Sequence, residues 1–273
     1  MLHDKVIVIT GVANQRSIAY GVAHACARHG ATLIVVIQSE RFKSRAEELI
    51  LQCGKYHNKK HTIFICDAAY DDQLQQLSLD IASITERIDV FVHSIAFANR
   101  DEIKGAFHDV TTRSGFLLAH DISSYTLVAF SKFLLPLLKK SQSASIITMT
   151  YYGSEKVIPN YNVMGVAKAS LEACVRYLAA SLGSDGVRVN ALSPGPIQTL
   201  AASGITGLSK MIQATKENSP LKKSLTIEDV GNVAVFLASD LSQAISGEII
   251  HVDNGSHCMG INIKNDDNRS DIS

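Results

Sequence analysis

The chain has 273 residues with 26 basic and 26 acidic side chains, so its formal net charge is zero. A balanced charge gives no indication of binding to nucleic acid or to an anionic membrane surface. The length is sufficient for one large α/β domain with a sizeable core. The longest apolar run, Phe130–Leu138, is interrupted by Lys132 and Pro136. It is therefore shorter than the roughly 18 residues of a membrane-spanning helix.

The cysteines and histidines are dispersed along the chain, without CxxC or HExxH spacing. This distribution is typical of buried thiols in a reducing compartment, so we expect neither a disulfide framework nor a metal site. The first residues, MLHDKVIVITG, pass almost at once into a predicted strand. They leave no room for a signal peptide, and we expect a cytoplasmic protein.

Apolar, β-branched runs alternate with amphipathic helical patterns along the chain. Because the runs are apolar at consecutive positions, they predict strands buried on both faces of a parallel sheet. The predicted strands are Val6–Thr10, Thr32–Ile37, Thr62–Cys66, Val90–His93, Ser145–Met149, Val187–Leu192 and Glu248–Val252. The predicted helices are Ser17–His29, Arg41–Gln52, Asp72–Ile84, Thr112–Leu138, Tyr161–Gly183 and Ile227–Ala238. The pattern predicts an α/β fold with a Rossmann-like, doubly wound parallel sheet and helices on both faces. We expect a single domain over residues 1–260 and a polar, flexible tail over residues 261–273.

The first predicted strand runs directly into the turn GVANQRSIAYG, from Gly11 to Gly21. Gly11 permits a sharp exit from the strand, and the helix that begins near Ser17 offers unpaired N–H groups to a pyrophosphate. Gly21 is expected to let this helix approach the sheet. The turn lacks full GxGxxG spacing, so an ordinary strand–helix turn with an N-cap serine is the alternative. Its position after the first strand favours a dinucleotide site.

The residues that follow strands two and three are expected to contact the adenosine half of a cofactor. Gln38 can hydrogen-bond a ribose diol, but unlike a carboxylate it does not repel a 2′-phosphate, with which Arg41 can pair. The sequence therefore leaves NADH and NADPH both open. Asp67 is a candidate acceptor for the adenine amino group, with a helix-cap aspartate as the alternative.

The segment TYYGSEKVIPNYNVMGVAKASLEA, residues 150–173, carries the candidate catalytic groups. Tyr161 and Lys168 are seven residues apart and return to nearly the same face of a helix. A phenol beside an ammonium can donate a hydrogen bond or a proton to an oxygen that gains negative charge. The cation is expected to lower the tyrosine pKa from about 10. Tyr151 precedes them in a loop, and an ordinary solvated helix face is the alternative.

Several strings of the chain resemble the enoyl-acyl-carrier-protein reductases of bacterial type II fatty acid synthesis, a divergent branch of the short-chain dehydrogenase/reductases. The strings are GVANQRSIAYG, HSIAFAN, GFLLAHDISSY, YNVMGVAKASLEA, GPIQTLAASGI and SGEIIHVDNG. The most specific element is the Tyr-x6-Lys spacing of Tyr161 and Lys168, since general short-chain reductases carry Tyr-x3-Lys. The resemblance implies NADH as cofactor, with NADPH not excluded. It also implies acyl carrier protein as partner and assembly as a homotetramer.

The resemblance also implies roles for individual residues. Tyr151, Tyr161 and Lys168 fill the catalytic positions, and Tyr151, Tyr161 and Ala98 fill substrate-contacting positions. Tyr152 adjoins Tyr151, so the alignment of the first tyrosine is open by one residue. The implied cofactor contacts lie near the strand ends: Gly11, Ser17, Ile18, Gln38, Asp67, Ala68, Ile95, Lys168, Ile197, Gln198, Thr199, Leu200 and Ala201.

The segment Thr199–Lys216 is predicted to be a mobile lid over cofactor and substrate, with an ordinary helical excursion as the alternative. A basic surface for the acidic carrier protein is predicted nearby, with a solvated face as the alternative. Its candidates are Lys210, Lys216, Lys222 and Lys223. Two other functions remain as alternatives: a short-chain reductase of ketones or 3-oxoacyl thioesters, and a non-catalytic NAD(H) sensor. The Tyr161–Lys168 pair argues against a sensor, which needs no acid.

Overall fold

The computed structural model describes residues 1–200 and 207–260, and its core is one parallel sheet covered by helices. The strands are β1 (Val6–Thr10), β2 (Thr32–Ile37), β3 (Thr62–Ile65), β4 (Val90–His93), β5 (Ala144–Met149), β6 (Val187–Pro194) and β7 (Ile249–Val252). The α-helices are α1 (Ile18–Arg28), α2 (Lys43–Gly54), α3 (Asp71–Ala82), α4 (Phe107–Val110), α5 (Arg113–His120), α6 (Thr126–Leu138), α7 (Asn162–Leu182), α8 (Leu208–Asn218) and α9 (Ile227–Ala238). Each predicted strand has a counterpart whose ends differ by at most two residues.

The strands lie in the order β3-β2-β1-β4-β5-β6-β7, and all pair in parallel. The chain builds one half of the sheet outward from β1 to β3, returns to β4 beside β1, and builds the other half outward to β7. The predicted doubly wound fold is therefore confirmed. The carboxyl ends of β1 and β4 form the topological switch point, where open α/β sheets bind their ligands.

The side chains of each central strand alternate between two apolar cores on opposite faces of the sheet. On β1, Ile7 and Ile9 pack with α1, α2 and α9, whereas Val8 packs with α3, α6 and α7. Successive side chains of a strand point to opposite faces, so a strand covered on both faces must be apolar at consecutive positions. This explains the continuous apolar runs of the sequence.

The close approach at Gly21 joins two helices, and the predicted contact with the sheet is wrong. A Cβ atom at Gly21 would lie 2.4 Å from the carbonyl oxygen of Ile227, at the start of α9. In return, a Cβ at Gly231 of α9 would lie 2.5 Å from the Gly21 carbonyl oxygen. Two glycines thus let α1 and α9 pack backbone to backbone.

The long helix predicted over Thr112–Leu138 is divided by a π-helical turn, Asp121–Tyr125, between α5 and α6. Its continuous stretch, Arg113–Leu138, is long and apolar enough to span a membrane by length and composition alone. However, 56% of its most apolar window is buried inside the protein, as in a core helix. Single π-helical turns inside α-helices frequently occur at functional sites.

Candidate active site

The predicted site residues that the structure describes gather at the carboxyl edge of the sheet. They follow the ends of six strands or lie on the two helices that begin there, α1 and α7. By strand, they are Gly11 after β1, Gln38 after β2, Asp67 and Ala68 after β3, Ile95 and Ala98 after β4, Tyr151 after β5, and Ile197, Gln198, Thr199 and Leu200 after β6. Ser17 and Ile18 lie at the start of α1, and Tyr161 and Lys168 at the start and within α7. Ala201 lies outside the described residues.

Gly11 occupies a position that accepts no side chain. Its φ is +82°, in the left-handed region, and a Cβ atom there would lie 2.0 Å from the carbonyl oxygen of Ser94. Ser94 follows β4, and its N–H donates to the Thr10 hydroxyl oxygen at 3.0 Å. The turn after β1 is therefore held directly against the exit of β4, at the switch point.

Ser17 caps the N-terminus of α1, as expected from the alternative interpretation of this turn as one with an N-cap serine. The Ser17 Oγ accepts from the Tyr20 N–H at 3.2 Å and donates to the Asn14 carbonyl at 2.7 Å. The N–H groups of Ile18 and Ala19 lie in the first helical turn, which has no intrahelical acceptors for them. With the positive end of the helix dipole, these N–H groups are suited to binding an anion.

Gln38 and Asp67, which were predicted separately, are hydrogen-bonded partners. The Gln38 Nε2 donates to the Asp67 Oδ2 at 3.1 Å, and the Asp67 Oδ1 accepts from the Ala69 N–H at 3.1 Å. The Arg41 guanidinium lies over the Phe42 ring, 4.5 Å from its centroid. The ends of β2 and β3 thus present one polar pair with an exposed cation nearby.

Tyr151 and Tyr161 pack edge to face, with ring centroids 5.0 Å apart and an interplanar angle of 73°. Gly153 makes room for this pair, because a Cβ there would lie 2.5 Å from Cδ1 of Tyr161. Tyr152 turns away, and its hydroxyl donates to the His257 carbonyl at 3.2 Å. Tyr151, and not Tyr152, is therefore the tyrosine that faces Tyr161.

Tyr161 is the N-cap residue of α7, which begins at Asn162. The predicted placement of Tyr161 and Lys168 on one helix face is thus only approximate, since Tyr161 lies outside the regular helix. Lys168 is buried, and its Nζ donates to the carbonyl of Met149, the last residue of β5, at 2.7 Å. This bond ties α7 to the strand end that leads into Tyr151.

The predicted lowering of the Tyr161 pKa is wrong. Burial raises the pKa of Tyr161, and the neighbouring Tyr151 and Glu172 act in the same direction. Burial also raises the pKa of Tyr151 to about 12 and lowers the pKa of Lys168 to about 8. Desolvation disfavours the charged form of each of these groups, and it is the largest cause of the shift at Tyr161. At neutral pH Tyr161 is therefore a protonated hydrogen-bond donor.

This arrangement agrees with what comparison with known proteins shows. A family model described as enoyl-(acyl carrier protein) reductase matches residues 11–257. The chain belongs to this family. The NADH-dependent enoyl-[acyl-carrier-protein] reductase FabI of Escherichia coli K12 is 46% identical over 261 residues, which cover 96% of this chain and 97% of the relative. The FabI of Aquifex aeolicus is 45% identical and covers 96% of this chain and 94% of its own length.

A solved structure of the same family superposes closely on this enoyl reductase family member. The Bacillus cereus enoyl-acyl carrier protein reductase, crystallised with NADP+ and indole naphthyridinone, has a TM-score of 0.91 at 44% identity. The match covers 95% of this chain and 99% of that chain. The resemblance inferred from the sequence strings is confirmed.

Sequence reasoning missed three buried polar residues that support the candidate site in this enoyl reductase family member. They are His93 on β4, Ser123 in the π-helical turn and Glu172 on α7. Glu172 had a detectable signal, because it lies four residues after Lys168 on the same helix face. The other two had none, since a histidine in a strand and a serine in a helix are common.

His93 is fully buried and bridges β5 and α6. Its Nε2 lies 2.8 Å from the Thr126 Oγ1, and its Nδ1 lies 2.9 Å from the Thr148 Oγ1. The Thr126 hydroxyl donates its proton to the Ile122 carbonyl, so the His93 Nε2 must be the donor and its Nδ1 the acceptor. Burial, with the nearby Lys168, lowers the pKa of His93 to about 3, so His93 is neutral.

An apolar cavity of about 250 Å³ opens beside Tyr151. It lies between the loop after β5, the loop after β6 and α8, and Ile158, Pro196, Met211 and Ala214 contribute to its walls. Ala98, Tyr151 and the cavity residue Ile158 pack against a separate small apolar cluster that includes Tyr161. The later part of Thr199–Lys216 is helical, in α8, which is compatible with both a lid and an ordinary helical excursion, and residues 201–206 lie outside the described part. Closure of this segment over the site stays a prediction.

Ser123 fixes the loop that carries Ala98. Its hydroxyl accepts from the Phe97 N–H at 3.0 Å and donates to the Phe97 carbonyl at 3.1 Å. We expect Ser123→Ala to raise KM for an enoyl thioester about 3- to 10-fold with little change in kcat, because the loop loses both bonds. Ser131→Ala, which removes a buried hydroxyl bonded only within α6, is the control. Equal KM values for the two variants would contradict this role.

Proposed function

We propose that this protein is an enoyl-acyl-carrier-protein reductase that uses NADH to reduce the trans-2 double bond of an enoyl thioester. The observation that carries the proposal is the edge-packed pair of half-buried Tyr151 and buried Tyr161, with Lys168 bonded to the carbonyl at the end of β5. Family membership supports the reaction class, and the relatives from Escherichia coli and Aquifex aeolicus are NADH-dependent enzymes.

The residues at the switch point fit a dinucleotide. A close-packed glycine turn at Gly11 and the first-turn N–H groups of α1 suit a pyrophosphate. The hydrogen-bonded Gln38–Asp67 pair suits the adenosine half. Ala68 and Ile95 pack on the core cluster of one sheet face, whereas Ile18 and Ile197 pack on that of the other. We assign apolar contacts with the dinucleotide to these four residues, and the remaining cofactor contacts to Gln198, Thr199, Leu200 and Ala201.

NADH supplies the hydride, which is transferred to Cβ of the enoyl thioester. Negative charge then develops on the thioester oxygen as an enolate, and Tyr161 donates a hydrogen bond to that oxygen. The raised pKa of Tyr161 suits this role, since the phenol stays protonated as the charge grows. A proton delivered to Cα, from Tyr161 or through a chain of water molecules, completes the reduction. Tyr151 and Ala98 shape the acyl pocket, and the apolar cavity beside Tyr151 accepts the acyl chain.

Lys168 has the role of a cationic anchor for the nicotinamide ribose. One of its N–H groups is engaged by the Met149 carbonyl, and the other two are left for the ribose hydroxyls. By holding the hydride donor over Cβ, Lys168 contributes positioning, and its charge stabilises the developing enolate.

The acyl carrier protein is proposed to dock near α8. The candidate lysines Lys210, Lys216 and Lys222 are exposed, whereas Lys223 lies 3.8 Å from Asp229 in an ion pair.

Homotetramer assembly is proposed through α5, α6 and α7 and the π-helical turn. This surface exposes apolar side chains, including Phe116, Leu117, Tyr125 and Val166. We also propose that residues 1–260 act as one domain in the cytoplasm, as one continuous sheet supports; residues 261–273 lie outside the described part.

The direct test is oxidation of NADH and of NADPH in the presence of crotonyl thioester or enoyl-acyl carrier protein. We expect turnover with NADH, and the ratio of the two coenzymes reports how Gln38 and Arg41 discriminate. A 3-oxoacyl thioester is the competing substrate. Oxidation with the oxo substrate alone would favour a ketone reductase, and NADH binding without oxidation would favour a sensor.

The charge of Lys168 predicts an alkaline limit to activity. The pKa of Lys168 is lowered to about 8, so its cation is present below that pH and is lost as the pH rises through it. We expect kcat/KM for NADH, which reports the free enzyme, to fall above about pH 8. Lys168→Arg retains a cation above pH 8, so it should lower turnover but abolish this fall of kcat/KM at alkaline pH, which we call the alkaline limb. If the alkaline limb persists in that variant, a group other than Lys168 causes it.

A further inference from the structure

Glu172 is a buried carboxylate, only 7% exposed, which the mechanism above leaves without a role. Its Oε1 accepts from the Thr150 hydroxyl at 2.6 Å and from the Ser154 hydroxyl at 2.5 Å. These two donors stand on either side of the short turn that carries Tyr151. A single carboxylate oxygen on α7 therefore binds both ends of that turn.

Lys168 and Glu172 lie four residues apart on the same face of α7, and both reach the same piece of chain. Lys168 holds the Met149 carbonyl, and Glu172 holds the next residue, Thr150, together with Ser154. A buried charge is costly unless it is paired and hydrogen-bonded. Here two short charge-assisted bonds and a nearby cation offset that cost.

We propose that Glu172 is a positioning residue for the reduction, which holds the Tyr151 turn through Thr150 and Ser154 and acts as the counter-charge that keeps Lys168 protonated. This inference rests on the proposed function. It gives Glu172 two separable effects, one through geometry and one through charge.

The charges that face Lys168 identify Glu172 as the source of the second effect. Within residues 1–200 and 207–260, His93 on β4 and Glu172 on α7 interact electrostatically with Lys168. Tyr161, whose pKa Glu172 also affects, packs against Tyr151 at the start of the same helix. His93 is neutral and both tyrosines are protonated at neutral pH. Burial lowers the pKa of Lys168, and Glu172 raises it again.

The first test is Glu172→Gln, which keeps the shape of the side chain and removes its charge. We expect kcat to fall about tenfold, as for loss of hydrogen bonds to a charged acceptor. We also expect the alkaline limb of kcat/KM for NADH to move to lower pH, because Lys168 loses its neighbouring anion. Glu48→Gln, at an exposed position of α2, is the control for loss of a carboxylate and should leave both quantities unchanged.

Two hydroxyl deletions separate geometry from charge. Thr150→Val and Ser154→Ala each remove one donor to Glu172 and keep its charge. We expect both to lower kcat while the alkaline limb stays where it is in the wild type. Glu172→Asp keeps the charge on a shorter side chain. Compared with Glu172→Gln, we expect it to bring the pH at which kcat/KM for NADH falls closer to the wild-type value than it brings kcat.

Each outcome bears on the inference. The inference is overturned if Glu172→Gln keeps the wild-type kcat and if its kcat/KM for NADH falls at the same alkaline pH as in the wild type. That result, at any thermal stability of the variant, would show a structural role only. If Glu172→Gln does not fold, the hydroxyl deletions decide, and wild-type kcat and KM in both would overturn it. Wild-type protein is assayed alongside the variants to distinguish failure of the proposed function from failure of the inference about Glu172. An inactive wild type refutes both. An active wild type with unaffected variants refutes the inference alone.

Discussion

Tyr161→Phe is expected to lower kcat for enoyl reduction by about 10²–10³, the usual effect of removing one donor to a developing oxyanion. The variant keeps the aromatic ring, so the edge packing against Tyr151 and the close contact at Gly153 are retained. KM for NADH should therefore change little, because the lost bond matters mainly in the transition state. The measurement is the steady-state loss of NADH absorbance with crotonyl thioester.

Tyr177→Phe is the matched control for this experiment. Tyr177 lies on the same helix, α7, with 80% of its surface exposed, and loses the same hydroxyl without affecting the site. Thermal denaturation of both variants should match the wild type within about 2 °C, since each loses a single hydroxyl and keeps its aromatic ring in place. If Tyr161→Phe retains near wild-type turnover, Tyr161 is not the donor to the developing oxyanion. Tyr151→Phe would then be the next variant to measure.

Gly11→Ala is expected to weaken NADH binding at least about tenfold and to destabilise the fold by about 1–3 kcal/mol. The added methyl would lie 2.0 Å from the Ser94 carbonyl oxygen, and the φ of +82° strains any side chain. Either the turn after β1 or the exit of β4 must move, and both line the switch point. Fluorescence titration with NADH and thermal denaturation measure the two effects.

Gly183→Ala is the control for an added methyl group. A Cβ atom at Gly183 meets nothing within 4 Å, and the backbone there is right-handed helical with φ −59°. Alanine in such a position stabilises a protein by about 0.4–1 kcal/mol, because it restricts the unfolded chain. Wild-type NADH affinity in Gly11→Ala would contradict the placement of the cofactor turn.

Local patterns were sufficient for the architecture. A strand covered on both faces must be apolar at consecutive positions, and this requirement is visible in runs such as Val6–Thr10 and Thr32–Ile37. The order of strands and helices along the chain then restricts the topology, since parallel neighbours need right-handed helical crossovers. The division of Arg113–Leu138 by a π-helical turn has no such local signature.

The candidate site was partly predictable for the same reason. The Tyr-x6-Lys spacing and the glycine turn are short-range features, and the chain order places each near a strand end. The choice between Tyr151 and Tyr152 was not predictable, because it depends on the distant His257 carbonyl that binds the Tyr152 hydroxyl. The partner of Gly21 was missed because it lies on α9, far along the chain.

The sequence by itself determined the doubly wound sheet and the residue types available at the carboxyl edge, because these follow from periodicity and local spacing. It indicated the family through the resemblance of its motif strings to those of known enoyl reductases. Tertiary structure alone decided the electrostatics of the site. The direction of the Tyr161 pKa, the acceptor of the Lys168 ammonium and the partners of Glu172 all depend on groups brought together by folding. A pKa is governed by desolvation and by the charges that surround the group, and a linear sequence specifies neither until distant segments pack around it.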